Sequence, residues 1–380
     1  MHIKKYLKNG KPYYMFQAYF GTDPATGKRI KTTKRGFETE KECELEFYRL
    51  KLEFENGGFS KNIQYTFQEV YDLWIVHYTN TVKESTLNKT LGLFRDHILP
   101  YFGKMYIDKI KVTHCQNAVD EWYKKLKNYR TINNYSSSVF KHGMKLGIIK
   151  ENPTALVTVP VAKEEIEEEE DLNFYSKDEL IAFLNGVKTH YDPKWYALFR
   201  LLAFSGCRKG EVLAITWNDV NFSKNTIAIN KTLTMGLENK LILQTPKTKK
   251  SKRVVPLDEA TMAILKDWKS QQAKDMLKLG FNTMPKKQLV FTNLKNKFIN
   301  PQKIGQKIRP ICKKIDLKEI TPHGFRHTHC SLLFEAGASI KEVQDRLGHS
   351  DIKTTMNIYA HVTDQRKEET ALKFANYLNI

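Results

Sequence analysis

The chain has 380 residues and a formal net charge of +20, from 62 Lys and Arg against 42 Asp and Glu. Hydrophobic and aromatic fractions of 41% and 12% are enough to build real cores, so a wholly disordered chain is excluded, and the length suggests two or three domains. No apolar run approaches the roughly 18 residues of a membrane span, and the opening Met1-His-Ile-Lys-Lys has no apolar signal-peptide core.

The five cysteines, at 43, 115, 207, 312 and 330, form no C-x-x-C pair. They fit a reducing, cytoplasmic compartment rather than a disulfide or zinc framework. A chain this basic is expected to meet a polyanion.

Residues 1–36 hold nine basic residues (Lys4, Lys5, Lys8, Lys11, Lys28, Arg29, Lys31, Lys34 and Arg35) against one acid, Asp23. The aromatic run at 12–19 predicts a strand, Asp23-Pro-Ala-Thr-Gly27 a turn, and 28–37 a returning strand. A Glu-rich helix over 39–55 is expected to pack on this sheet, with the basic residues on the sheet side. Lysines and tyrosines interleaved across a short sheet point to nucleic acid.

Residues 64–158 read as a helical bundle. Thr66-Phe-Gln-Glu69 is a capping box, followed by Val70, Tyr71, Trp74 and Tyr78 at helical spacing. A second helix over 83–99 carries Leu87, Leu91, Phe94 and Ile98 on one face, and Pro100 should stop it. Thr113-His-Cys-Gln116 is a second capping box, with Val119, Trp122 and Leu126 as the stripe behind it. A fourth helix over 131–145 ends at Gly147. Lys163 to Asp171 then reads one base against seven acids, a solvated linker. The chain is thus expected to divide into 1–60, 64–160, a linker at 161–173, and 174–380.

After the linker the character is mixed. Helices are predicted at 176–186 and 193–204, and strands near 226–232, 240–244 and 253–257. A lysine-rich turn between the last two strands holds Lys247, Lys249, Lys250 and Lys252. Helices then dominate to the end. The fold class is therefore multidomain α+β: a small N-terminal sheet with a helix, an all-α bundle, and a mostly α C-terminal domain with a small antiparallel sheet.

The chemistry-bearing residues lie in that last domain. In Thr321-Pro-His-Gly-Phe-Arg-His327, Thr321 is a good N-cap and Pro322 suits the first helical position. His323 and Arg326, three apart, should leave one face of the first turn, where the helix dipole favours an anion. Ser339-Ile-Lys-Glu342 is another capping box, and Gly348 ends its helix, leaving His349 at the exit. Tyr359 follows ten residues later in a polar setting, between Asn357 and His361. His327, His329 and Cys330 diverge around a helix and make a poor metal site, so no metal is expected. The G-x-x-x-x-G-K-[ST] phosphate loop of ATPases is absent.

Taken in order, Arg208, Lys247, His323-x-x-Arg326, Leu347-Gly-His349 and Tyr359 resemble the tyrosine recombinase (phage integrase) family, over about 174–362. Phe204-Ser-Gly-Cys-Arg208-Lys-Gly-Glu211 looks like the family's first arginine box, and Thr245-Pro-Lys247-Thr its β-hairpin lysine motif. Leu347 to Val362 is similar to its histidine–tyrosine box. A tyrosine phenol is a weak nucleophile at its usual pKa of about 10, so it needs a base and a polarised phosphate. The resemblance implies that Arg208, Arg326 and His349 activate the phosphate, Lys247 acts as general acid, and His323 as general base. Glu211 would orient its arginine neighbours and Tyr359 would be the nucleophile. Cleavage through a 3′-phosphotyrosine conserves the phosphodiester energy, so no metal, ATP or other cofactor is implied.

By the same resemblance, 64–158 looks like a core-type DNA-binding domain and the basic N-terminal sheet like an arm-type one. DNA contacts are expected from Lys28, Arg29, Lys31, Lys34 and Arg35, and from Lys249, Lys250 and Lys252. The arm-like domain favours the integrase of a phage or integrative element. The alternatives are a chromosome- or plasmid-resolving recombinase, a non-cutting DNA-binding protein on the same fold, and a type IB topoisomerase. Implied partners are duplex DNA with core-type and arm-type attachment sites, a homo-tetramer on that DNA with the tail after Tyr359 docking on a neighbour, an excision factor and a host DNA-bending protein. No membrane partner is expected.

Overall fold

A computed structural model describes residues 2–8, 10–22, 29–55, 64–161, 173–245, 252–285, 287–348, 352 and 356. It has two compact units, Met1–Asn80 with Leu93–Pro160, and Thr81–Gly92 with Val161–Ile380. The first begins with an antiparallel sheet of β1 (His2–Lys8), β2 (Lys11–Thr22) and β3 (Arg29–Phe37), in that order, covered by α1 (Glu40–Glu55). Sequence reading missed β1: HIKKYLK has little apolar content, and its strand character comes from pairing, Ile3 with Phe16 and Tyr6 with Tyr13.

Phe16, Ala18, Cys43 and Leu50 form the buried core between sheet and helix. The other sheet face carries Lys4, Tyr6, Tyr13, Gln17, Tyr19 and Lys31, by their register with the buried residues. A bulge modifies this alternation. Tyr14 pairs with Phe37 and Met15 with Arg35, so Gly36, at φ +97°, is an extra residue. Arg35 therefore shares the open face with Met15. Its neighbour Lys34 lies opposite buried Phe16, on the helix-covered side, with Nζ 3.9 Å from Glu46 of α1.

In the helical part, α2 (Phe67–Thr79) starts with the expected capping box: the Glu69 N–H donates to Thr66 Oγ1, and the Thr66 N–H to Glu69 Oε2. α3 (Glu84–Leu93) continues through a π-turn, Phe94–Ile98, into α4 (Leu99–Phe102). Pro100 does not stop it. The π-turn carries the Leu99 N–H to Phe94 O, and this wider turn accommodates a proline that has no N–H to give. α5 (Val112–Lys125) begins before the predicted cap at Thr113, because the His114 ring accepts the Lys111 N–H at 3.1 Å and closes the turn earlier. α6 (Tyr129–Lys145) completes a core of Phe67, Trp74, Phe94, Phe102, Trp122 and Phe140.

The second unit holds α7 (Lys177–His190), α8 (Pro193–Ser205) and the single turn α9 (Lys209–Val212). Five short strands follow: β4 (Val220–Asn221), β5 (Thr226–Ile229), β6 (Thr232–Met235), β7 (Leu241–Gln244) and β8 (Arg253–Pro256). Among the described residues these are followed by α10 (Glu259–Lys278), α11 (Gln302–Ile315), α12 (Gly324–Glu335) and α13 (Ile340–Leu347). Its core centres on α8, with Phe183, Phe199 and Phe325 in mutual contact.

The strands depart from expectation in one respect that bears on the site. Residues 226–232 are split, because Asn230 and Lys231 both turn to Asp219 and break the ladder. Gln244 then pairs with Thr232 and Arg253 with Ile229, in two different sheets. The lysine-rich segment therefore joins two sheets rather than turning a hairpin. Among the described residues no helix is long and apolar enough to cross a membrane.

Candidate active site at the arginine corner

α8 ends at Gly206, whose φ of +62° and close neighbours both demand glycine: a Cβ there would lie 2.6 Å from carbon atoms of His329 and Leu347. This sharp exit presents Arg208 as the N-cap of α9. Glu211, one turn on, reaches back. Its Oε2 accepts the Arg208 backbone N–H at 3.0 Å, and its Oε1 accepts Arg208 Nη1 at 3.0 Å. Arg208 keeps 42% of its side chain exposed while Glu211 keeps 4%.

Beside them lies a cavity of about 840 Å³ whose wall includes Arg208, Lys209, Thr234, His323 and Gly348. The first turns of α3 add Lys83 and Lys89 to the same wall. Lys83 Nζ donates to Thr245 O at 2.7 Å, and Glu84 Oε1 accepts the Leu237 N–H at 2.9 Å.

His323 and Arg326 part company. α12 starts at Gly324, two residues later than expected, because the Thr321 hydroxyl accepts the Gly324 N–H and holds 321–323 as a turn. His323 therefore sits at the helix cap and opens to the cavity. Enclosure by surrounding protein, then the charges of His327, Arg326, Arg208 and Lys209, push its imidazole down to about 4. It is neutral at pH 7 and can accept a proton.

Arg326 turns inward and is 1% exposed. Nη1 donates to Gly206 O at 2.8 Å and Nη2 to Leu347 O at 2.7 Å, clasping the ends of α8 and α13 together. Two of its five N–H bonds are used in this way, and Nε has no partner among the described residues. Burial, then the Arg208 charge, lowers the guanidinium to about 9, which makes a neighbouring anion welcome.

Sequence reading missed three supporting groups. Arg253, one basic residue beside a lysine-rich stretch in the sequence, has its side chain buried against Glu211. Arg346 Nε donates to His329 Nε2 at 2.9 Å, so His329 carries its proton on Nδ1 and donates to Ala203 O at 2.7 Å. The signal for this pair was faint: His329 was weighed only as a metal ligand. Among the described residues no cluster of three His, Cys, Asp or Glu could hold a metal.

His329 is 8% exposed, and burial followed by the Arg346 charge pushes its imidazole down to about 4. An unfolded histidine titrates near 6.5, so between about pH 6.5 and 4 the unfolded chain binds a proton that the folded one refuses. This contribution to stability is present above that window and lost as pH falls through it. Denaturant unfolding at pH 7 and pH 5 should show an acid loss that is about 2 kcal/mol smaller in His329→Gln than in the wild type. Equal losses would refute the assignment.

Lys28, Lys247, Lys249, Lys250, His349, Tyr359 and the tail after it lie outside the described residues. Lys252 is described and exposed, as are Arg29, Lys31, Lys34 and Arg35.

Residues 173–366 match the phage integrase family, a little over half of the chain. The chain belongs to the phage integrase family. Residues 66–123 also match the N-terminal SAM-like domain of phage integrases, and residues 2–53 an arm DNA-binding domain. Relatives in this family include a tyrosine recombinase XerC-like protein of Caldanaerobacter subterraneus subsp. tengcongensis, 29% identical over 95% of each chain. The ICEBs1 integrase of Bacillus subtilis is 28% identical over all of both chains. Of solved structures, a Tn1549 transposon integrase in complex with a circular intermediate DNA has a TM-score of 0.65 at 22% identity, covering 81% of this chain and 99% of that one. A lambda integrase tetramer bound to a Holliday junction has a TM-score of 0.56 at 16% identity, covering 93% and 94%. These similarities support the multidomain α+β class. The family's activity is DNA cleavage and strand transfer, and this member is a DNA-binding recombinase.

Proposed function

We propose that this chain is the integrase of a bacteriophage or integrative element, joining and releasing that element through a 3′-phosphotyrosine on Tyr359. The observation that carries the reading is the corner itself. It sets an exposed, oriented Arg208 and a neutral His323 on the wall of one cavity, with the buried cationic Arg326 bonded to the backbone behind it. Such a cavity suits a phosphodiester that gains charge in its transition state. In the proposed step the Tyr359 oxygen bonds to phosphorus and the P–O5′ bond breaks. His323 takes the phenolic proton, Lys247 gives one to the departing O5′, and Arg208, Arg326 and His349 hold the phosphoryl oxygens. A free 5′-hydroxyl remains for the reverse reaction with a new strand. Covalent capture of nicked duplex DNA by the wild type tests this reading.

The ICEBs1 integrase and the Tn916 transposase among the relatives support a mobile element over a chromosome-resolving role, as does the arm-like sheet. Four protomers acting on two DNA sites in the host cytoplasm is the assembly we propose, with an excision factor and a DNA-bending protein as accessory partners. The open sheet face is the proposed arm contact. Lys31→Ala with Arg35→Ala should weaken arm-site binding by roughly tenfold or more at moderate salt, measured by gel shift. Lys34→Ala, on the helix side, should change it little; equal loss from both would sink the face assignment.

A further inference from the structure

Arg253 opens β8, directly after the lysine-rich segment. Its side chain is 7% exposed, a costly place for a charge unless something there requires it. Nη2 lies 3.0 Å from Glu211 Oε2 and 3.4 Å from Cys207 Sγ, and Nε donates to Arg346 O at 2.9 Å. The same side chain packs under Gly348, where a Cβ would meet Arg253 Cδ at 3.1 Å. One buried residue therefore touches the arginine box and the backbone leading to His349, and it continues the segment carrying Lys247.

The charge balance gives this a purpose. Glu211 is almost fully buried, and burial by itself would raise its pKa. The charge and hydrogen bond of Arg253, and after them the Arg208 backbone N–H and charge, hold it below the usual carboxylate range instead. Arg253, rather than the exposed Arg208, is the principal counter-ion of Glu211. Arg208 already gives Nη1 to Glu211 Oε1; without Arg253 it would be the carboxylate's sole counter-ion, drawn onto both oxygens and away from a phosphate.

We propose that Arg253 is a positioning residue for strand cleavage: by sharing Glu211 it leaves Arg208 held to that carboxylate through Nη1 alone and able to pair with the scissile phosphate. This rests on the recombinase reading above.

The test uses the full chain and a nicked duplex selected from a randomised pool by covalent capture on the wild type. Failure of the wild type to capture any duplex would overturn the recombinase reading, separately from this one. With a captured duplex in hand, Arg253→Gln should cut a normal phosphodiester about 100-fold more slowly, with duplex binding retained. On the same duplex with a methylphosphonate at the scissile position, which carries no negative charge for Arg208 to meet, the defect should shrink to a few-fold. Adding Glu211→Gln to Arg253→Gln should restore part of the lost phosphodiester cleavage, since the carboxylate that captures Arg208 is gone. Arg253→Lys should fall between the wild type and Arg253→Gln. Equal defects on both linkages, no recovery in the double variant, or wild-type rates in Arg253→Gln would each overturn the proposal.

Discussion

Tyr359→Phe should abolish the covalent protein–DNA adduct while leaving duplex affinity within about twofold of the wild type. Removing one hydroxyl deletes the proposed nucleophile and almost nothing else. The loss should reach about four orders of magnitude or more, beyond detection in a gel-based capture assay. Binding persists because affinity for duplex DNA comes chiefly from phosphate neutralisation, and the +20 charge of the chain is untouched. A mutant that still forms the adduct would remove Tyr359 from the reaction. The same experiment separates the recombinase from a non-cutting DNA-binding protein, for which the wild type itself forms no adduct.

The two arginines of the corner should fail in different ways. Arg208→Lys loses the fork geometry suited to a phosphate, and cleavage should fall by about 10²–10³-fold. Its side chain is 42% exposed and Glu211 keeps Arg253, so stability should change by no more than about 1 kcal/mol. Arg326→Lys places a shorter, single-headed cation where two carbonyls 141 residues apart in sequence, Gly206 O and Leu347 O, are both satisfied by one guanidinium. One buried carbonyl and an ill-fitting charge would remain. The cost should be about 3–5 kcal/mol, or a drop in Tm on the order of 10 °C, in addition to lost cleavage. Calorimetry of the two variants decides: if Arg326→Lys melts with the wild type, the clasp is not structural.

Much of this was legible in the sequence because the signals were local. The capping boxes at Thr66 and Ser339 and the glycine at 348 each depend on a few neighbouring positions. What escaped depended on distant partners. β1 is a strand because of Phe16 and Tyr13 across from it. Pro100 is tolerated because a π-turn precedes it, a backbone departure that local spacing does not reveal. Lys34 and Arg35 are adjacent charges in sequence, and only their pairing with Phe16 and Met15 shows which of them faces the helix. Arg253 was hidden among lysines, since only the third dimension shows which basic residue is buried. His323 and Arg326 have the right spacing for one face, yet the helix begins after the first and turns the second inward.

The Arg326 clasp also has a consequence for biosynthesis. Its two anchor points and its own position span residues 206 to 347, so the corner closes only after Leu347 has left the ribosome. Contacts of such long sequence separation form late and slowly. The basic sheet and the helical bundle, by contrast, are complete in the nascent chain by residue 160. A growing polypeptide can therefore hold DNA well before it can cut it, and premature termination upstream of Leu347 yields a binder without a blade.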